Sequence, residues 1–207
     1  MSSANKKPED IKSGDRKNAA ASARPEMAGM RARKAPPSIA AMLRVDHAGE
    51  YGAVAIYKGQ QAVFKQAKAT RAVAAQIAQM EAEEQKHLDA FDALLNERRV
   101  RPTALGPVWK AAGYGLGVAT ALMGEKAAHA CTEAVETVIE QHYAEQIELT
   151  KDSDPQLSQI FTEFREDELH HRDIAVEGGA RQAPAYGLLS RVITAGCKAA
   201  IKITTRI

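Results

Sequence analysis

From Ile39 onward, apolar residues recur at steps of three and four, the period of a helix with one buried face. The first run, IAAMLRVDHAGEYGAVAIYKGQQAVFKQA, puts Ile39, Leu43, His47, Glu50, Val54, Tyr57, Gln61 and Phe64 on one side. Pro36-Pro37-Ser38 precedes it, and Ser38 is the expected N-cap. A second helix is expected from about Thr70 to Asn96, with the stripe Ile77, Met80, Leu88, Phe91, Leu95. A third follows Gly124 and carries Val135, Ile139, Tyr143 and Ile147. Asp154-Pro155 opens a fourth with Leu157, Ile160/Phe161, Phe164 and Ala175, and Gly178-Gly179 closes it. Val-Ile runs bounded by turn signals are absent, so the pattern predicts an all-α protein.

Two further stretches do not fit this alternation. Residues 104–124 are glycine-rich and carry no charge from Ala111 to Gly124. That run is too short to cross a hydrocarbon layer of ~30 Å. Trp109, Tyr114 and a preceding Arg98/Arg99/Arg101/Lys110 cluster suit a segment lying in a membrane interface. A buried helix or a loop over the bundle explains the same residues, and both readings stand. Near the C-terminus, YGLLSRVITAGCKAAIKITTRI groups Leu188/Leu189, Val192/Ile193, Ala199/Ala200 and Ile203 on one side and has cations but no acid. It is expected to be a basic amphipathic helix at a membrane surface.

The four principal stripes carry charge where a core should be apolar. Glu50, Glu84, Glu136 and Glu168 lie on them, with His87 and His171 three residues beyond the second and fourth glutamates. Residues at i and i+3 share a helix face. Burying a carboxylate without a partner is very costly, and a metal ion offsets that cost. Glu50 and Glu84 are 34 residues apart, and Glu136 and Glu168 are 32 apart. The chain therefore reads as a duplication: a helix with one glutamate, then a helix with Glu-x-x-His, twice. That is the ligand pattern of a ferritin-like four-helix bundle with two metal ions. Four carboxylates and two imidazoles favour iron or manganese, and two divalent ions cancel four glutamates. Glu81, Glu83, Glu133, Glu140, Glu166 and His170 are expected to be solvated, and Asp167 peripheral. Gly49 and Gly52 beside Glu50 weaken a helix, so a close backbone or ligand approach is expected there.

Composition adds a charge asymmetry. Residues 1–37 carry +5, residues 181–207 another +5, and the middle −8, for a net charge of +2. Such a chain suits cations inside and an anionic surface outside, with no nucleic-acid partner. Cys131 and Cys197 have no metal-type spacing and are expected to be reduced thiols. No apolar signal segment is read in the first 35 residues, and 1–37 is expected to be a solvated basic tail before a domain at 38–207.

The string Leu43-Arg44-Val45-Asp46-His47-Ala48-Gly49-Glu50-Tyr51-Gly52-Ala53 resembles the demethoxyubiquinone hydroxylase family. So do Glu84-Gln85-Lys86-His87, Ala134-Val135-Glu136, His142-Tyr143 and Glu168-Leu169-His170-His171. The resemblance covers Ser38 to Ile207 and does not include the tail. It implies a membrane-associated monooxygenase of ubiquinone biosynthesis, with two iron ions, O₂ as co-substrate and an external reductant. The implied substrate is 2-polyprenyl-3-methyl-6-methoxy-1,4-benzoquinol, hydroxylated at its free ring carbon. Glu50, Glu84, Glu136, Glu168, His87 and His171 would hold the iron. Tyr143 and His142 would stand on the substrate side or relay electrons; a core tyrosine and a surface histidine is the competing reading. His47 reads equally as a residue behind the ligands or a core histidine. The implied setting is the cytoplasmic face of a bacterial inner membrane or the matrix side of a mitochondrial one, in company with other ubiquinone-biosynthesis proteins. Two rival readings are a different ferritin-like di-metal oxidase or peroxidase and a non-catalytic membrane-binding helical protein.

Overall fold

The structure, a computed structural model, describes residues 36–206; the tail expected over 1–37 lies, up to residue 35, outside them. The helices are α1 Ile39–Phe64, α2 Arg71–Glu97, α3 Gly106–Leu122, α4 Glu125–Thr150, α5 Pro155–Glu177 and α6 Tyr186–Thr204, with no strand among the described residues. The expected boundaries hold for the same physical reasons. The Ser38 hydroxyl accepts from the Ala41 N–H at 3.2 Å and the Asp154 carboxylate from the Leu157 N–H at 3.1 Å. Pro155 occupies the first turn of α5, and Gly179, in the left-handed region at φ 88°, follows its end.

The duplication extends to three helices per half. In the first half α1 packs on α2 and α3, and in the second α4 packs on α5 and α6. Residues 106–122 form a helix and not a loop; it packs one side on the bundle and leaves Val108, Tyr114 and Leu122 exposed on the other, and glycines are what allow the packing. Gly113 lies so close to α1 that a Cβ there would sit 2.6 Å from the Gly52 carbonyl oxygen. At Gly117 a Cβ would overlap the Ile56 carbonyl oxygen and lie 2.9 Å from its carbonyl carbon. The close approach expected at Gly49 and Gly52 thus comes through the Gly52 backbone, whereas the space beside both glycines is open. Gly117→Ala must push α3 off α1, since backbone cannot yield as a flexible side chain does. We expect it to lower stability by about 1–3 kcal/mol, measured by urea unfolding. An unchanged midpoint would mean the two helices are not held this closely.

Apolar layers close the bundle above and below its centre. One contains Leu43, Phe91, Leu95, Tyr143, Leu157 and Phe161; the other contains Tyr57, Phe64, Val73, Ile77 and Met80. Along every one of α1, α2, α4 and α5, the glutamate falls between these layers. The halves meet at this level through long side chains. The fold therefore sets a dry, water-poor shell around a carboxylate cluster.

Candidate metal centre

All six expected ligands converge. Glu50, Glu84, Glu136, Glu168 and His171 are at most 1 % exposed and His87 is 2 % exposed. They form two overlapping groups, Glu50/Glu84/His87/Glu168 and Glu84/Glu136/Glu168/His171, each with one donor atom per residue within 4.8 Å of the others. Glu84 and Glu168 belong to both groups. They stand where bridging carboxylates would stand, with Glu50 and His87 serving one position and Glu136 and His171 the other.

The buried atoms test whether a metal fits. Glu50 Oε2, Glu136 Oε2, both oxygens of Glu84 and of Glu168, His87 Nδ1 and His171 Nδ1 are buried without a hydrogen-bond partner. Orphaned buried polar atoms are costly, and these eight all belong to predicted ligands and face one another. Two divalent cations would satisfy them all and cancel the four charges.

The outer shell follows the same two-fold logic. His87 Nε2–H donates to Asp167 at 3.0 Å, and His171 Nε2–H donates to Glu83 at 2.8 Å. A carboxylate only accepts, so the proton sits on Nε2 and Nδ1 is left for a metal. Each acceptor is the residue immediately before the Glu-x-x-His of the opposite half. Asp167 was expected to be peripheral and Glu83 solvated; Asp167 is indeed largely exposed, yet both orient a histidine. Tyr57 donates to Glu136 at 2.8 Å, and Tyr143 donates to Glu50. Each tyrosine thus fixes one oxygen of a single glutamate and leaves the other free.

Other expectations change. Glu133 is buried, not solvated, because α6 and the turn before it cover that side of α4; its Oε1 accepts from Arg181 at 3.0 Å. Glu140 is half-buried and accepts from Arg165 at 2.8 Å. Glu81, expected to be solvated, is partly buried and accepts from Gln61. His47 turns to Asp92 at 3.0 Å, away from the ligands. His142 is part-buried and meets Asp46 at 3.3 Å. His170 and Glu166 are exposed, as expected, and both cysteines are free.

Without metal, the cluster must hold protons instead. Burial raises Glu50 and Glu136 well above the usual carboxylate range, and the neighbouring Glu84 and Glu168 charges add to it. Burial works against the charged forms of His87 and His171, but the Glu168 and Glu84 carboxylates facing their rings outweigh it and push both up to about 12. Burial also opposes Glu84 ionisation, and the facing His171 and His87 rings overcome it and lower its pKa. Raised histidines stabilise the folded state fully below pH ~6.5 and progressively lose that contribution towards ~12. Raised glutamates lose theirs from ~4.5 upward. The lowered Glu84 acts only in acid. Between pH 6.5 and 9 the metal-free protein should therefore lose stability, while metal replaces the protons in the loaded form. We expect the gap in Tm between metal-loaded and chelator-treated protein to widen from pH 6.5 to 8.5. Thermal unfolding at both pH values checks it, and a narrowing gap would contradict the assignment.

A cavity of about 420 Å³ lies beside the centre, between α1, α3, α4 and α6. Its wall is almost wholly apolar and includes Gly49, Gly52, Ile56, Trp109, Val135 and Ile193. Gly49 and Val135 are the chain neighbours of Glu50 and Glu136. The outward faces of α3 and α6 expose Val108, Tyr114, Leu122, Leu188 and Val192. Among the described residues, no helix is long and apolar enough to cross a membrane.

An all-helical bundle with two interleaved Glu/Glu/His groups is the ferritin-like di-metal carboxylate class. Within that class, residues 37–204 match the sequence family described as Ubiquinone biosynthesis protein COQ7, and the chain belongs to that family. It is 49 % identical over 175 residues to the 3-demethoxyubiquinol 3-hydroxylase of Rhodospirillum rubrum, covering 83 % of this chain and 81 % of that one. It is 46 % identical over 169 residues to the mouse protein named NADPH-dependent 3-demethoxyubiquinone 3-hydroxylase, mitochondrial, covering 80 % and 76 %. The yeast 5-demethoxyubiquinone hydroxylase, mitochondrial, is 36 % identical over 181 residues, covering 80 % and 77 %.

Proposed function

We propose that this protein is a di-iron monooxygenase that hydroxylates a polyprenylated demethoxyubiquinol with O₂ in ubiquinone biosynthesis. The observation that carries the reading is the pair of overlapping ligand groups next to an apolar cavity. The hydroxylase names of relatives at 36–49 % identity supply the reaction and the substrate. Glu50 and His87 would hold one iron, Glu136 and His171 the other, with Glu84 and Glu168 shared. An oxygen-rich, redox-active pair of irons supplies O₂ activation when bound. The chain's own part is geometry and exclusion of water: Tyr57 and Tyr143 hold the single glutamates, Asp167 and Glu83 orient the histidines, and the apolar layers keep the centre dry. His142 and Tyr143 belong to the Glu50 side of the site, where a ring entering the cavity past Gly49 would approach it. The reductant is external. The mouse relative's name gives NADPH, which makes a reduced nicotinamide nucleotide the donor to test first.

A polyprenyl tail stays in the bilayer, so the enzyme must reach its substrate there. The exposed apolar residues of α3 and α6 would sit in the interface, and the acid-free 181–207 segment would face anionic headgroups. We place the protein peripherally on the cytoplasmic face of a bacterial inner membrane, with the matrix side of a mitochondrial membrane as the alternative; the mouse and yeast relatives are named mitochondrial. Residues 38–207 would form the hydroxylase domain, and other ubiquinone-biosynthesis proteins are candidate partners. A ferritin-like oxidase or peroxidase would share the ligands but would not need the apolar cavity or these faces.

The test is mass analysis of quinones after incubating iron-loaded protein with demethoxyubiquinol, O₂ and a reductant. Product heavier by one oxygen atom, labelled when ¹⁸O₂ is used, is expected. Consumption of O₂ with no such product would refute the assignment.

A further inference from the structure

The centre has two unlike sides. On one, α3 and α6 pack over α1 and α4, and beneath them lies the apolar cavity. On the other, α2 and α5 face each other without the close backbone packing that joins α1 to α2 or α4 to α5. Among the described residues, no helix packs closely over that second seam. Side chains close it instead. The His87 ring stacks on Phe164, 4.0 Å between centroids, and its Nε2–H donates to Asp167 at 3.0 Å. His171 Nε2–H donates to Glu83 at 2.8 Å. Two buried histidines thus lie directly behind carboxylates that reach water: the Asp167 side chain is 57 % exposed and that of Glu83 28 %. The other oxygen of Glu83 accepts from the exposed Gln79 at 3.3 Å.

We propose that the α2–α5 seam is the metal's way in, with Asp167 and Glu83 drawing a hydrated divalent cation from solvent to the two ligand groups behind them. The inference rests on the reading of the buried cluster as a metal centre. A cation pays heavily to shed its water against an apolar wall. That cost closes the cavity side, and the layers around Leu43, Phe91 and Leu157 and around Tyr57, Phe64 and Ile77 close the two ends of the bundle. The seam offers oxygen at each depth. Asp167 and Glu83 stand at the surface, and behind the two rings Glu84 and Glu168 have both oxygens unpartnered. His87 Nδ1 lies 3.4 Å from Glu168, and His171 Nδ1 lies 2.9 Å from Glu84. Carboxylate oxygens are the donors that a hard divalent ion prefers. Lys86, three residues on from Glu83 and so on the same face, is a nearby cation that opposes this field. Metal and an apolar substrate would then reach the centre from opposite sides, and neither would obstruct the other.

The test is the rate at which the metal-free full chain takes up Fe²⁺ anaerobically, stopped at intervals with a chromogenic ferrous chelator that reads the iron left in solution. Release is followed separately by chelator chase, and circular dichroism checks that each variant is folded. The Asp167→Asn/Glu83→Gln double variant is expected to load roughly 10-fold more slowly at low salt and to lose most of the wild type's salt dependence. Gln79→Lys adds a cation to the seam and leaves the His171–Glu83 contact in place, so it should also load more slowly. Lys86→Gln removes a cation and should load faster. Neither Gln79 nor Lys86 is a ligand, and opposite changes in loading rate at two exposed positions are a response that a structural role would not give. If Asp167 and Glu83 only orient the histidines, the double variant releases iron faster but loads at the wild-type rate, and Gln79→Lys and Lys86→Gln load as wild type does. That result would overturn the proposal and leave the metal centre standing. If wild type takes up no iron, the metal-centre reading fails and the route fails with it.

Discussion

Glu168→Ala is expected to abolish metal binding and hydroxylation together, whereas His170→Ala should leave both within a few-fold of wild type. The expectation follows from burial and sharing. Glu168 is fully buried, belongs to both ligand groups and offers two oxygens that nothing else satisfies. Removing it leaves the remaining carboxylates and histidines unable to close either position, and it uncovers a net charge imbalance inside a dry core. His170, one residue before His171, points into solvent. Iron content by mass spectrometry and product formation on the two purified variants check this contrast. Equal effects would mean that α5 is rotated from the register described.

The second large effect concerns residues that never touch the metal. Asp167→Asn and Glu83→Gln should each weaken metal affinity about 10–100-fold, because each removes the anion that holds a ligand histidine in its Nδ1-facing orientation. Glu83→Gln should be the more damaging. Its side chain is 28 % exposed against 57 % for Asp167, so its charge is less screened by water. Titration against a competing chelator measures both. Wild-type affinity in the two variants would show that the histidines are held by packing alone.

These two variants also mark the boundary of what the chain reveals before folding. The six ligands were legible because each sits on a helical apolar stripe, and because the Glu, then Glu-x-x-His order occurs twice. Tyr57 was legible in principle: it follows Glu50 by seven residues as Tyr143 follows Glu136. Asp167 and Glu83 were not, because each serves a histidine of the other half and no spacing within one helix encodes that contact. Asp46 and Glu133 were missed for a different reason. A single stripe describes a helix with one buried face, but α3 covers a second face of α1 and α6 a second face of α4. On such helices the period no longer separates inside from outside. That is why His47 was placed on the stripe of α1, while Asp46 beside it is the residue sealed inside. The helical packing of residues 104–124 was undecided for a related reason: glycines at 113 and 117 permit close packing, but only the opposing backbone of α1 shows that they use it.

These six side chains are expected to hold a pair of metal ions. Iron stoichiometry tests it most directly: anaerobic titration of the metal-free protein with Fe²⁺, removal of excess, and iron measured per chain. The two ligand groups predict a plateau at two iron ions per chain, lost in Glu168→Ala. A plateau at one or below in the wild-type protein would contradict it.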